Sequence, residues 1–200
     1  MDWVQELRGI FSCLSMPELC ACRACNQEFK DASLPRLYEL QLALFETRQA
    51  PQERRRALSS LRLLESSTPN AVNAGNAPWL MGLLRKSGEV LLDSTEHRVV
   101  RTEAARTLHE LLLALDAARV GLLGEELSAV VRRAVAEEAD RYVRRVLVDA
   151  ATSLCKTFAL PSAFEALESL SKDEDSTVRS AAHSAKIELE GAHATDSLRR

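Results

Sequence analysis

The chain has 200 residues and a mass of 22.1 kDa, enough for one large domain or for a small module joined to a medium-sized one. Hydrophobic residues make up 46% of it and charged residues 28%, a balance that excludes disordered and collagen-like chains. The formal net charge of −3 excludes general attraction to nucleic acid, and an aromatic content of 4% gives a β-sheet little surface to build on. These numbers predict an all-α protein.

The N-terminus carries no pattern typical of export. Asp2 and Glu6 stand where a signal peptide would carry positive charge, and no apolar run approaches the roughly 20 residues that span a bilayer. The five cysteines are an odd number, which favours reduced thiols over a disulfide framework. We therefore expect a cytoplasmic or nuclear protein without membrane insertion.

Residues 1–48 are predicted to form three short helices. The breaks between them fall at Ser15-Met16-Pro17 and Ser33-Leu34-Pro35, because proline is well tolerated at the first position of a helix. Gln49-Ala50-Pro51 then marks the boundary to the rest of the chain.

Within these helices the chain reads Ile10-Phe11-Ser12-x-Leu14-Ser15-x-x-Glu18-Leu19-Cys20, followed by Cys25-Asn26-x-x-Phe29. This pattern resembles the F-box motif, although the Leu-Pro pair that usually precedes it is replaced by a segment containing Trp3 and Val4. The resemblance implies a module that docks on a Skp-family adaptor of a cullin–RING ubiquitin ligase, while the rest of the chain collects substrate. By resemblance, the adaptor-binding residues are Ile10, Phe11, Leu14, Met16, Pro17 and Leu19.

A helical unit of about 45 residues buries too little apolar surface to stand alone, so its exposed face needs a partner. That partner is either an adaptor protein or the remainder of this chain. In the second case residues 1–48 are only an atypical N-terminal cap of the helices that follow.

The region after the boundary is predicted to be helical apart from residues 67–78, the most loop-like stretch of the chain. A helix is expected over residues 51–64, and from residue 79 onward helix follows helix. The expected breaks lie near Gly88, Asp116, Gly121, Asp140, Pro161 and Asp173.

Three stripes of apolar residues recur at helical spacing, which places each stripe on one face of a helix. They are Val100, Ala104, Leu108, Leu111 and Leu115; Val143, Leu147, Ala150, Leu154 and Phe158; and Val178, Ala182, Ala185 and Leu189.

Two of these helices begin with the same frame, Asp-x-x-Val-Arg, at Asp140 and again at Asp175. The third has His97 in place of the aspartate. An acidic residue at this position can cap free N–H groups of the helix. Second helices are expected around residues 125–135 and 163–170, and helix pairs repeating every 35 to 43 residues indicate a stacked α-solenoid.

The segments 140–154 and 175–189 resemble HEAT repeats, which commonly carry Asp-x-x-Val-Arg. Segments 70–84 and 98–113 look more like an armadillo repeat. The resemblance covers about residues 51–190 and implies stacked helices that present an extended surface to a protein partner. Residues 191–200 lack periodicity and are expected to form a frayed tail.

Metal binding and catalysis find little support in the pattern. Four cysteines lie close together, but residues 20–25 read as continuous helix without the tight turn of a zinc knuckle, so we expect no metal. Cys155 is expected to be buried packing. No phosphate loop, nucleophile elbow or His-x-x-x-His pair is present, and we expect no cofactor and no enzymatic activity.

Short arginine runs occur at residues 54–56, 132–133 and 144–145. They could hold an acidic partner, but ion pairs with nearby Glu and Asp are the better supported role. Arg144 and Arg179 hold equivalent positions and are expected to join neighbouring repeats. The sequence as a whole predicts a non-catalytic subunit resembling an F-box substrate receptor, or alternatively a small HEAT-type scaffold that holds a protein complex together.

Overall fold

The computed structural model describes residues 36, 38–43, 45–66, 78–114 and 121–198, with side chains at 36, 38–43, 45–60, 81–113 and 124–191. Every regular element in this part of the chain is an α-helix, which confirms the predicted all-α class. After helical residues 38–43 and 45–47, the helices are α1 (Pro51–Ser66), α2 (Pro78–Leu92), α3 (Arg98–Ala114), α4 (Gly121–Glu137), α5 (Arg141–Phe158), α6 (Pro161–Leu170) and α7 (Ser176–Leu198).

The chain divides into two compact units, Met1–Leu83 and Leu84–Arg200, with the division inside α2. In the first unit a helical stretch ends at residue 47 and α1 begins at Pro51, so the predicted helix break is confirmed. The Arg54 guanidinium lies 4.1 Å from the ring centroid of buried Phe45, and its Nη1 donates to the Phe45 carbonyl at 2.9 Å. This arginine therefore holds the turn between the two helices.

The second unit contains two layers of helices. α3, α5 and α7 pack side by side in one layer, α4 and α6 pack in the other, and α5 contacts all four of its neighbours. The stripe predicted on α5 faces the core, where Val143, Leu147, Ala150 and Leu154 are fully buried. The predicted second helices are confirmed as α4 and α6.

The predicted break near Gly88 is wrong, because α2 continues through it to Leu92. A Cβ at Gly88 would lie 3.2 Å from Cγ1 of Val130 on α4. The glycine therefore allows two helices to approach closely and does not end one of them.

The predicted breaks at Gly121, Asp140, Pro161 and Asp173 coincide with helix starts or with the segments between helices, whereas Asp116 lies outside the described residues. Pro161 is the first residue of α6, where its missing N–H leaves no bond unmade.

The last helix extends into the segment predicted to form a frayed tail. The backbone of α7 is helical to Leu198, without a break at residue 191. The segment contains no proline, so no residue in it lacks the backbone N–H that a helix uses. Among the described residues, no helix is both long and apolar enough to cross a membrane.

Candidate interaction site

The repeated Asp-x-x-Val-Arg frame forms the same helix start twice. Asp140 Oδ1 accepts hydrogen bonds from the backbone N–H groups of Tyr142 and Val143 at 2.8 and 3.4 Å. Asp175 Oδ1 makes the equivalent pair of contacts on α7 at 2.8 and 3.3 Å. His97 replaces the aspartate before α3 and accepts one backbone N–H through Nδ1 at 3.2 Å. The predicted capping role of both aspartates is confirmed.

The cap on α7 also sets the ionisation of its aspartate. The hydroxyl and the backbone N–H of Thr177 donate to Asp175 and hold the pKa of that carboxyl below its ordinary value. Asp175 therefore remains a carboxylate in mildly acidic solution, and the cap persists there.

The arginine of the frame joins its own helix to the segment that precedes the next helix carrying the frame. Arg101 Nε and Nη2 donate to the Glu138 carboxylate at 2.8 and 3.0 Å, and Arg144 Nε and Nη2 donate to Asp173 at 2.8 and 3.1 Å. These carboxylate contacts raise the pKa of both guanidinium groups further above their ordinary value. Arg144 thus joins α5 to the loop before α7.

Arg179 differs from the two preceding arginines. Its Nη1 donates to the backbone carbonyls of Asp173 and Glu174, in the loop before its own helix, at 2.5 and 3.3 Å. No carboxylate contact to Arg179 occurs among the described residues. For this arginine, the expected link to a further repeat is not present in the described part of the chain.

The side of α7 that carries Arg179 is polar where the equivalent sides of α3 and α5 are apolar. Residues spaced four, three and four apart share one helix face, and we call these the joint-face positions. They are Arg101, Ala105, Leu108 and Leu112 on α3; Arg144, Val148, Ala151 and Cys155 on α5; and Arg179, His183, Lys186 and Glu190 on α7. On α3 and α5 the three joint-face positions other than the arginine are buried. On α7 two of the corresponding residues, His183 and Glu190, are exposed.

A groove of about 700 Å³ lies beside the starts of α3, α5 and α7. We call it the arginine–tyrosine groove; its lining includes Arg98, Asp140, Arg141, Tyr142, Arg144, Glu174 and Asp175. The Tyr142 side chain in this groove is 55% exposed. The guanidinium carbons of Arg141 and Arg98 lie 4.9 and 5.8 Å from the centroid of its ring.

The two exposed arginines of this groove are related by the repeat. Arg98 Nη1 lies 3.7 Å from Asp140 Oδ2, and Arg141 Nη1 lies 3.6 Å from Asp175 Oδ2. Arg141 also donates to the Tyr142 hydroxyl at 3.1 Å, a contact that raises the pKa of the guanidinium further above its ordinary value. The groove therefore presents two cations, one aromatic ring and the exposed Glu174 carboxylate to solvent.

Other polar clusters of the second unit have structural explanations. His109 Nδ1 lies 2.7 Å from Ser153 Oγ, but Ser153 is 1% exposed and its hydroxyl also donates to the Asp149 carbonyl, so this pair joins α3 to α5. Cys155 is confirmed as buried, and burial raises the pKa of its thiol to about 12. A cavity of about 160 Å³ near the end of α2 is lined on its polar side by Arg101 and Glu138, which bind each other.

Three arginines of the predicted runs form ion pairs as expected: Arg132 with Glu165, Arg133 with Glu137 and Arg145 with Asp149. In the run 54–56, Arg54 donates to the backbone carbonyls of Phe45 and Arg48. The residues predicted by F-box resemblance, Ile10, Phe11, Leu14, Met16, Pro17 and Leu19, lie outside the described residues, as do the four N-terminal cysteines. Within the described part of the chain, no group of three or more His, Cys, Asp or Glu could hold a metal ion.

Comparison with known proteins adds no assignment. No family model, curated protein or solved structure matches this chain. The fold and the geometry of the second unit therefore carry the functional argument.

The sequence analysis did not single out Tyr142, Arg98 or Arg141. The two arginines could have been found from the sequence, because the pattern Arg-x-Val-Arg begins at Arg98 and again at Arg141. Before α7 the frame has Ser176 at the equivalent position, so the exposed arginines belong to the frames of α3 and α5 alone among these three helices.

Proposed function

We propose that this chain is a non-catalytic protein-interaction subunit built from HEAT- and armadillo-like helical repeats. The observation that carries the proposal is the recurring joint, in which Arg101 binds Glu138 and Arg144 binds Asp173 with the same two nitrogen atoms. Structural repeats that contact only their neighbours are typical of solenoid proteins. The usual role of such proteins is to hold a protein partner along a stacked surface.

The first form of the proposal is an F-box substrate receptor. Residues 10–29 supply the resemblance, and the second unit would then collect the substrate for a Skp/cullin-type ubiquitin ligase. The second form is a HEAT-type scaffold in which residues 1–48 cap the repeats and take no part in ubiquitin transfer. The two forms share the interaction surface of the second unit and differ in what the N-terminal module binds.

Binding of the full chain to a purified Skp-family adaptor tests the first form. We expect saturable binding in the micromolar range or tighter, since burial of an apolar helix face is the main source of such affinity. Leu14→Asp and Leu19→Asp should each abolish it, because each places a charge in the expected contact. Circular dichroism of both variants must show unchanged helicity, so that loss of binding is not loss of fold.

Absence of adaptor binding at concentrations well above that range would reject the F-box form. The scaffold form then predicts that the tagged chain purifies from its own cells with a stoichiometric protein partner. A chain that binds no adaptor and purifies alone would contradict the proposed function as a whole.

A further inference from the structure

We infer that the arginine–tyrosine groove binds an acidic segment of a protein partner, with carboxylates of that segment paired to Arg98 and Arg141 beside the ring of Tyr142. This inference rests on the proposed function, since it names the surface and the partner chemistry of a protein-interaction subunit. It concerns residues of the second unit alone.

Exposure decides which charges of the groove meet a partner. The side chains of Arg98 and Arg141 are each 59% exposed, whereas those of Asp140 and Asp175 are 20% and 16% exposed. Each aspartate uses Oδ1 to cap its helix, so it is held against backbone N–H groups. Of these four residues the arginines are therefore the ones that meet a partner, and Glu174, with an 85% exposed side chain, is the one exposed carboxylate among the lining residues named here.

Both exposed arginines keep hydrogen-bonding capacity for a ligand. Their contacts to aspartate, at 3.7 and 3.6 Å, are longer than the 2.8–3.1 Å hydrogen bonds of the buried joints. A guanidinium has five N–H donors and binds a carboxylate best through two of them at once. An incoming carboxylate can therefore make a shorter, two-point contact that the groove's own aspartates do not make.

Both exposed cations lie within 6 Å of the centroid of the Tyr142 ring. Because both guanidinium groups lie beside one aromatic ring, contact with the ring restricts their positions before a partner binds. Alternate side chains of an extended peptide project to one side about 7 Å apart. Such a peptide can present two carboxylates to neighbouring guanidinium groups, with less loss of side-chain freedom than two unrestrained arginines would require.

The neighbouring acids favour a peptide over nucleic acid. Glu174 lines the same groove with an 85% exposed side chain, held by Arg144 at 3.1 Å, and the chain as a whole carries a net charge of −3. A continuous phosphate backbone would meet this carboxylate as well as the arginines, whereas a peptide can place an uncharged residue beside it.

The test is fluorescence anisotropy with the full chain and a labelled peptide in which glutamate and serine alternate. We expect saturable binding of this peptide and none of a matched peptide with glutamine in place of glutamate. The double variant Arg98→Gln/Arg141→Gln should bind at least about tenfold more weakly, because two charge-assisted contacts are lost. Binding should also weaken as salt is raised.

The matched control is Arg132→Gln/Arg133→Gln, which removes the same charge from exposed arginines on α4, at 58% and 62% exposure. It should bind the peptide as the parent chain does. Circular dichroism checks that both double variants keep the parent's helicity.

Three results would overturn the inference: no binding of the glutamate peptide, equal weakening in both double variants, or tighter arginine-dependent binding of single-stranded oligothymidylate. If the peptide fails while a partner purifies equally well with the parent and with Arg98→Gln/Arg141→Gln, the groove is wrong and the proposed function stands. If the peptide binds as expected but the chain has neither an adaptor nor any other partner, the proposed function fails and the groove stands.

Discussion

At the scale of single residues, Arg144 shows how a buried charge is accommodated in this protein. Its five N–H groups match five hydrogen bonds: two to Asp173, one to Glu174 and two to the backbone carbonyls of Glu138 and Ala139. A buried charge with all its donors paired is tolerated, but removal of one partner leaves the other charge without compensation. Arg179 occupies the same frame position with two carbonyl contacts alone.

This contrast gives a testable difference between equivalent arginines. Arg144→Met should lower the free energy of unfolding by about 3 kcal/mol, because Asp173 stays buried without its partner. Arg179→Met should lower it by less than about 1 kcal/mol, since no described carboxylate loses a partner. Urea unfolding followed by circular dichroism measures both. Equal losses would mean that the carboxylate contact does not set the stability of the joint.

At the scale of helices, the effect of a glycine depends on whether a neighbouring helix packs against it. A Cβ at Gly124 of α4 would come within 2.8 Å of the Phe158 ring at the end of α5, whereas a Cβ at Gly191 of α7 would point into open space. Both glycines lie inside helices, so they share the same cost in helix propensity. They differ in packing alone.

Alanine at these two positions should therefore have opposite effects. Gly124→Ala should destabilise the protein by about 1–3 kcal/mol, since an aromatic ring must move to admit the methyl group. Gly191→Ala should stabilise it by about 0.5–1 kcal/mol through backbone entropy. Thermal unfolding midpoints of the two variants should move in opposite directions; a shared direction would contradict the packing at Gly124.

Glu168 links α6 to α7 and confers a pH dependence. Hydrogen bonds from Lys186 and Lys172 lower the pKa of this carboxyl from an ordinary 4.5 to about 2. Because the folded-state pKa is the lower one, the carboxylate stabilises the fold above pH 4.5, and this stabilisation is lost as the pH falls toward 2.

The stability difference between the parent and Glu168→Gln should accordingly be largest near neutral pH and shrink between pH 4.5 and about 2. Urea titrations across this range measure the difference. Lys186→Met should raise the pKa of Glu168 in an NMR titration. A Glu168 carboxyl that titrates at its ordinary pKa in the parent would contradict the linkage.

The helical elements were largely predictable because their signals are local. The apolar stripes, the capping aspartates and Pro161 each act within a turn or two of their own helix. The structure confirms the two caps, Pro161 and the described stripe residues, except that Phe158 is only half-buried; Leu115 lies outside the described residues. The prediction at Gly88 was wrong for the opposite reason: this glycine is explained by Val130, which is 42 positions further along the chain. Helix-breaking and close-packing glycines look alike until the neighbouring helix is known.

At the scale of the whole molecule, the joint-face positions distinguish α7, the last helix of its layer in the described part of the chain, from α3 and α5. On α3 and α5 the three joint-face positions other than the arginine are buried and apolar. On α7 the corresponding residues are His183, Lys186 and Glu190. A polar outer face is typical of a terminal repeat, because it keeps a further helix from packing there. The joint face of α7 is therefore a poor candidate for apolar docking.

Replacing these three residues with their α3 equivalents should create such a docking face. We expect His183→Ala/Lys186→Leu/Glu190→Leu to self-associate more strongly than the parent, because contiguous apolar surface is gained at the end of the layer. Sedimentation equilibrium measures the association. The control Glu125→Ala/Arg132→Leu/Arg133→Leu alters three exposed charged residues of α4 and should associate less; equal association would show that position on α7 is irrelevant.

The sequence by itself determined the all-α class, the helix starts and the buried stripes, because these depend on residues within a few positions of one another. It did not determine the joints or the groove, because these depend on which helices meet. Arg141 and Arg144 lie three positions apart on α5, yet one is 59% exposed and the other is buried with all its donors paired. The loop before α7 makes that difference by placing Asp173 against Arg144, 29 positions away. Only the tertiary structure could therefore separate the arginine that holds the fold from the arginine that faces a partner.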